Sequence, residues 1–203
     1  LMANMEVMCR LPEVDSRELA EAFARHYAVD AARVLPGSGT TQFIFTLPAA
    51  LGAGRALILG PTYADYQDAC RFHHVECHVV MARESTGFKP DMGKIRGSVE
   101  GHDTVFICNP NNPTGVLMGR EALSRLCEDH PGVRFVIDES YLGFSNRSEE
   151  ATMMYSELPN VLVLHSFSKI FCIPGLRLGF LIAPPQVVEK LREFSQPWSV
   201  NSM

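Results

Sequence analysis

Two ionisable residues follow apolar segments of the chain, where a charged side chain needs a partner. Asp138 ends the apolar run 135–137, and an unpaired carboxylate there would lose much hydration free energy, so we expect a cationic partner for it. Lys169 follows the apolar run 161–164, so we expect its amine to be partly buried. Burial lowers the pKa of an amine and so favours its neutral, nucleophilic form. The two residues are compatible with a structural ion pair or with a reactive site.

Polar or glycine-rich segments follow five apolar runs of the chain. They are Gly-Ser-Gly-Thr-Thr at 37–41, Pro-Thr-Tyr at 61–63, Asn-Pro-Asn-Asn-Pro-Thr-Gly at 109–115, Asp-Glu-Ser-Tyr at 138–141 and Ser-Phe-Ser-Lys at 166–169. Ligands of open parallel sheets bind outside the carboxyl ends of the strands, so the five segments are predicted to converge on one pocket. The simpler alternatives are a strand-to-helix turn at 37–39, a turn at 109–115, and a helix-start aromatic at Tyr63.

The glycines at 37 and 39 match no common nucleotide-binding motif. Gln42 occupies the position of the third glycine of a dinucleotide fingerprint, and the chain contains no P-loop. Small residues at a helix start nevertheless leave N–H groups unpaired at its positive end, which favours phosphate binding.

Apolar runs alternate with helix-period segments, which predicts an α/β fold with three layers, α/β/α, around a mainly parallel seven-stranded sheet. The predicted strands are 33–35, 55–60, 76–82, 104–108, 134–138, 161–167 and 178–183. The predicted helices are 16–27, 41–51, 63–72, 120–129 and 185–194, the first entered through Asp15 with Glu18 as a capping-box-like start.

Composition narrows the class of protein. The 203 residues include 18 Lys and Arg against 23 Asp and Glu, with no basic block, which disfavours nucleic acid as a partner. No apolar run approaches the roughly 20 residues of a membrane span, so no membrane partner is expected. The six cysteines form no C-x-x-C pair and indicate reduced thiols in a cytoplasmic protein.

Residues 73–78, His-His-Val-Glu-Cys-His, are a candidate metal cluster. Strand alternation would place His74, Glu76 and His78 on one face, although a solvated strand start is the favoured interpretation, and no metal is predicted.

Taken together, the motifs resemble those of the fold-type-I pyridoxal-phosphate enzymes of the class I/II aminotransferase superfamily. The resemblance covers almost the whole chain and rests on segments 109–115, 138–141 and 166–169, followed by Arg177 within Pro-Gly-Leu-Arg-Leu-Gly. It implies that 1–203 is a large, cofactor-binding domain, and that an N-terminal arm and a C-terminal small domain lie outside this chain. It also implies a homodimer with a small-molecule amino acid phosphate as substrate.

The resemblance assigns a role to each candidate residue. Lys169 would hold pyridoxal 5'-phosphate covalently and then move protons, and Asp138 would pair with its pyridinium nitrogen. Asn112 and Tyr141 would bind the ring oxygen O3′, and Tyr63 would stack on the ring. The phosphate cup would combine helix-terminal N–H groups, hydroxyls and a guanidinium, from Gly39, Thr40, Thr41, Ser166, Ser168 and Arg177.

Two branches of the superfamily compete, the L-threonine-O-3-phosphate decarboxylases of cobalamin synthesis and the histidinol-phosphate aminotransferases. The segment Gln-Pro-Trp-Ser-Val-Asn at 196–201 and residues 37–45 resemble the decarboxylases more, although Thr40 and Gln42 replace expected acidic residues. A third alternative is the non-catalytic, cofactor-sensing domain of a transcription regulator.

Overall fold

A mixed sheet of seven strands forms the centre of the computed structural model, which describes residues 9–201. The strands are β1 Val34–Ser38, β2 Arg55–Gly60, β3 Glu76–Met81, β4 Thr104–Cys108, β5 Arg134–Asp138, β6 Val161–Ser166 and β7 Leu178–Ile182. Their order across the sheet is β1-β7-β6-β5-β4-β2-β3. The pairs from β6 through to β3 are parallel, whereas β7 runs antiparallel to both β1 and β6. The α/β fold with a mainly parallel sheet is therefore confirmed.

Helices cover both faces of the sheet. They are α1 Arg17–Tyr27, α2 Thr40–Leu51, α3 Asp65–Phe72, α4 Met92–Val99, α5 Arg120–Asp129, α6 Ser148–Ala151, α7 Phe167–Ile170 and α8 Pro185–Arg192. One apolar layer joins the sheet to α1, α4 and α5, and the other joins it to α2, α3 and α8. Strand β4 is buried at every position, as expected of a parallel strand covered on both faces.

Some local features differ from the predictions. Asp15 precedes the N-cap residue Ser16, and its carboxylate accepts from the Arg17 N–H at 3.3 Å, whereas the predicted capping box is absent because the Glu18 N–H donates to the Glu13 carboxylate at 2.9 Å. Helix α4 was not predicted, because two glycines interrupt its apolar pattern. Strand β6 ends at Ser166, so Lys169 lies on α7 and follows the strand by three residues.

The His74 prediction was also wrong. This residue has a left-handed backbone (φ 58°) and precedes β3, so it does not share a strand face with Glu76 and His78. Instead, His78 contacts Glu76 at 3.2 Å and His102 at 2.8 Å. Residues 9–201 contain no group of three or more potential ligand side chains that could hold a metal ion.

In the same range of residues, no helix has both the length and the apolar character required to cross a membrane.

Candidate active site

A cleft at the carboxyl edge of the parallel strands brings together residues from all five polar segments. It is lined by Thr40, Thr41, Tyr63, Tyr66, Cys108, Asn112, Asp138, Ser140, Tyr141, Ser166, Ser168, Lys169 and Arg177. Every predicted site residue except Gly39 is in this set. Gly39 lies against the guanidinium of Arg177. The predicted convergence of the five segments is therefore observed.

The topology of the sheet explains why these residues meet. Strands β4, β5 and β6 are parallel neighbours, so the segments that follow them emerge at one edge. Strand β1 pairs antiparallel with β7, which in turn pairs antiparallel with β6, so the segment after β1 emerges at the same edge. Arg177 reaches this edge because it immediately precedes β7, the strand that runs the other way.

The carboxylate of Asp138 lies buried at the floor of the cleft, with only 4% of its surface exposed. Its Oδ2 accepts a hydrogen bond from the Tyr66 hydroxyl at 2.8 Å, and its Oδ1 accepts one from the Ser140 N–H at 2.9 Å. Burial raises the pKa of Asp138, while the hydrogen bonds from Ser140 and Tyr66 and the charge of Lys169 act in the opposite direction.

Asp138 and Lys169 do not form the structural ion pair that was one alternative. Among residues 9–201, neither the Asp138 carboxylate nor the Lys169 amine lies within 4.0 Å of an oppositely charged group. Lys169 is exposed at the cleft, so the expectation of a partly buried amine was wrong. The reason is that α7 carries the residue out of the sheet by one helical turn.

Sequence reasoning missed Tyr66, although it contacts Asp138 directly. Its side chain is 1% exposed and its ring stacks on Phe106, with centroids 5.5 Å apart. Burial raises its pKa well above the ordinary value, so the hydroxyl remains a donor to Asp138. The available signal was its position three residues after Tyr63, which places both rings on one side of the segment leading into α3.

Residues around the start of α2 form a candidate anion site, in which a helix start lies against a guanidinium. Helix α2 begins at Thr40 after Gly39, without a side-chain cap on its first N–H groups. Gly39 has φ 78°, and a Cβ added there would lie 2.6 Å from Nη2 of Arg177. Glycine at this position therefore lets the guanidinium approach the start of the helix. In the described part of the chain, the buried Oγ of Ser168, which also lines the cleft, has no hydrogen-bond partner.

Aromatic and amide side chains form the mouth of the cleft. The Tyr63 ring is 38% exposed and meets the Tyr66 ring edge-on at 5.9 Å. Burial and, to a smaller extent, the carboxylate of Asp65 raise the pKa of Tyr63 to about 12. Asn112 is held by its backbone N–H, which donates to the Cys108 sulfur at 3.4 Å, and Tyr141 lies half-buried beside it. The cleft thus combines a buried carboxylate, an accessible amine and a candidate anion site.

A family model described as aminotransferase class I and II matches residues 6–203. The chain belongs to this family.

Within the family, the chain is similar to members of two branches. It is 32% identical over 206 residues to the threonine-phosphate decarboxylase of Salmonella typhimurium, and 34% identical over 209 residues to a histidinol-phosphate aminotransferase of Desulfitobacterium hafniense. Each alignment covers 100% of this chain and 57% of the relative, so the chain spans a little over half the length of these relatives.

Solved structures show the same fold. The L-threonine-O-3-phosphate decarboxylase of Porphyromonas gingivalis superposes with a TM-score of 0.86 at 33% identity, over 98% of this chain and 59% of that one. A histidinol-phosphate aminotransferase of Sinorhizobium meliloti, solved in complex with pyridoxal-5'-phosphate, superposes with a TM-score of 0.89 at 19% identity, over 99% and 56% of the two chains.

Proposed function

We propose that the cleft binds pyridoxal 5'-phosphate and that this chain is the cofactor-binding large domain of an enzyme acting on a phosphorylated amino acid. The observation that carries the proposal is Asp138, a buried carboxylate that faces the cleft and has two hydrogen-bond donors but no ion-pair partner within the described residues. A protonated pyridine nitrogen supplies the missing cation. When bound, the cofactor provides an electron sink for the electrons released at the substrate Cα.

The anion site fits the phosphate of this cofactor. Arg177 offers a guanidinium, Thr40 and Thr41 open a helix, and the buried Ser168 hydroxyl needs an acceptor or donor that the protein does not provide. A phosphate dianion satisfies all of these groups, because it accepts from N–H, O–H and guanidinium donors alike.

Each of the other residues then has a defined task. Asp138 would hold a proton on the pyridine nitrogen, oriented by Tyr66 and Ser140. Lys169 would supply the amine that holds the cofactor covalently and that moves a proton at the substrate Cα or the cofactor C4′. Asn112 and Tyr141 would hydrogen-bond the ring oxygen, and Tyr63 would cover one face of the ring.

The reaction that we favour is decarboxylation of L-threonine O-3-phosphate. The choice would depend on which bond of the substrate Cα the surrounding residues orient for breaking: the bond to the carboxylate for decarboxylation, or the bond to hydrogen for transamination. Support for decarboxylation comes from segments 37–45 and 196–201 and from the similarity to two decarboxylases at 32% and 33% identity.

Transamination of histidinol phosphate is the competing reaction. It is supported by the histidinol-phosphate aminotransferase that is 34% identical to this chain.

A product analysis distinguishes the two reactions. The intact protein, loaded with pyridoxal phosphate, is given L-threonine O-3-phosphate without a keto acid, and the products are identified by mass spectrometry. We expect aminopropanol phosphate and CO₂ over many turnovers. If that substrate is unchanged and histidinol phosphate instead converts the cofactor to its amine form, decarboxylation is refuted.

A further inference from the structure

Three asparagines follow β4, and their side chains have different partners. The buried Asn109 side chain donates to the Met118 carbonyl oxygen at 2.9 Å and accepts from the Met118 N–H at 2.7 Å. The Asn111 side chain donates to the Pro61 carbonyl oxygen at 2.9 Å. These two side chains therefore stabilise the loop. The hydrogen bonds of residues 9–201 include none from the Asn112 side chain, which lines the cleft instead.

The thiol of Cys108, the last residue of β4, connects two points of the backbone that leads to Asn112. It donates to the Pro110 carbonyl oxygen at 3.3 Å and accepts from the Asn112 N–H at 3.4 Å. A cysteine thiol is a weak donor and a weak acceptor, and here it acts as both. Cys108 is only 5% exposed, so water competes little for these bonds. The thiol therefore fixes the backbone next to the Asn112 side chain.

Cys108 also lies beside the buried carboxylate of the cleft. The parallel strands β4 and β5 pair Cys108 with Asp138, and both residues line the cleft. Burial and, to a smaller extent, the charge of Asp138 raise the pKa of Cys108 to about 12. The thiol consequently keeps its hydrogen near neutral pH and remains a donor to Pro110.

We propose that Cys108 is a positioning residue that holds the Asn112 side chain at the cleft through its two hydrogen bonds to the backbone. This inference rests on the proposed function, in which Asn112 would hydrogen-bond the ring oxygen O3′ of pyridoxal phosphate. That bond would withdraw electron density from O3′ and so lower the pKa of the nitrogen that joins Lys169 to the cofactor. Cys108 would act on this pKa only through Asn112.

Amide hydrogen exchange tests the positioning in the intact protein without cofactor. In Cys108→Ala the Asn112 N–H loses its acceptor, so we expect its exchange, measured at residue resolution by mass spectrometry, to accelerate about twofold or more. Cys108→Ser should restore slow exchange, because a hydroxyl also donates and accepts. Exchange that is as slow in Cys108→Ala as in the wild type would overturn the inference.

The absorbance of the bound cofactor against pH tests the consequence. In Cys108→Ala we expect the pH midpoint of the absorbance change to rise by about 0.5 unit or more, since a hydrogen bond of ordinary strength corresponds to roughly 0.4–1 unit. Cys108→Ser should return the midpoint towards the wild-type value.

Cys127→Ala is the matched control, because Cys127 is equally buried but lies in the other apolar layer, on α5. We expect this variant to keep the wild-type midpoint. If Cys108→Ala does not fold, Cys108→Val takes its place in both measurements, since valine is similar in size and forms no side-chain hydrogen bond.

Failure of this inference differs from failure of the proposed function. If Cys108→Ala holds the cofactor on Lys169 with the wild-type midpoint, or if Cys127→Ala shifts the midpoint equally, Cys108 is not a positioning residue and the proposed function stands. If the wild-type protein does not bind pyridoxal phosphate, both are refuted.

Discussion

At the scale of single residues, the environment of Asp138 determines what the cleft can bind. A carboxylate buried in an apolar layer is costly, and here two hydrogen bonds, from Tyr66 and Ser140, offset part of that cost. Both donors keep the carboxylate oxygens oriented at the cleft floor. A cationic ring placed against this carboxylate therefore meets a preorganised partner.

Removing the Tyr66 hydroxyl should weaken this partner. In Tyr66→Phe, Asp138 loses a bond that lowers its pKa, so that pKa rises and the carboxylate holds a proton on the cofactor ring less well. A hydrogen bond to a charged group contributes roughly 1.5–3 kcal/mol, so we expect cofactor affinity or kcat to fall about tenfold or more. Absorbance titration of the bound cofactor against pH measures the shift. Tyr27→Phe, on the opposite sheet face, is the control, and equal effects of the two variants would contradict this role of Tyr66.

At the scale of elements, the start of α2 is shaped for an anion by Gly39. In Gly39→Ala, the added methyl group would displace the Arg177 guanidinium, which it would otherwise approach to 2.6 Å. We expect the Kd for pyridoxal phosphate to rise at least about tenfold, since a charge-assisted contact is lost. Fluorescence titration measures this. Gly52→Ala is a matched control, because Gly52 ends the same helix with φ 65° and has no atom within 4 Å of an added Cβ. Both variants should lose some stability, and a normal Kd in Gly39→Ala would refute the anion site.

Glu139 connects β5 to the segment after α6. Its carboxylate accepts hydrogen bonds from the Thr152 hydroxyl and the Met153 N–H, both at 2.6 Å, on the sheet face opposite to the cleft. Burial raises its pKa to about 7. Because the folded-state pKa is above the ordinary value of 4.5, folding favours the protonated form, and this group's contribution to stability falls as pH rises from about 4.5 to about 7.

The variant Glu139→Gln should remove that pH dependence. Gln can accept from Met153 and donate to Thr152, so we expect the variant to fold. The Tm of the variant minus the Tm of the wild type should increase from pH 5 to pH 8. Thermal unfolding at several pH values measures the difference. A difference that does not change with pH would show that Glu139 does not titrate in this range.

Elements with strong patterns could be predicted from the sequence, and elements set by tertiary contacts could not. The central strands β4 and β5 were predicted with their observed bounds, because buried parallel strands are continuous apolar runs. Helix α4 was missed, because burial of Ile95 and Val99 stabilises it despite its glycines. Tyr66 was missed, because its partner Asp138 is 72 positions away in the sequence.

At the scale of the whole molecule, the expectations of a homodimer and of a cytoplasmic location remain predictions. Large apolar side chains lie on the surface, among them Phe72 at 71% exposure and Phe144 at 61%. We expect light scattering coupled to size-exclusion chromatography to give twice the chain mass at micromolar concentration. A monomer that remains monomeric with cofactor bound would contradict the dimer.

The proposed function requires that Lys169 holds pyridoxal phosphate covalently within the cleft. The most direct test is to reduce the cofactor-loaded protein with borohydride, digest it, and locate the phosphopyridoxyl group by mass spectrometry. We expect stoichiometric label on Lys169, and no label in a Lys169→Ala variant that retains the fold by circular dichroism. Label on another lysine, or normal turnover by Lys169→Ala, would contradict it.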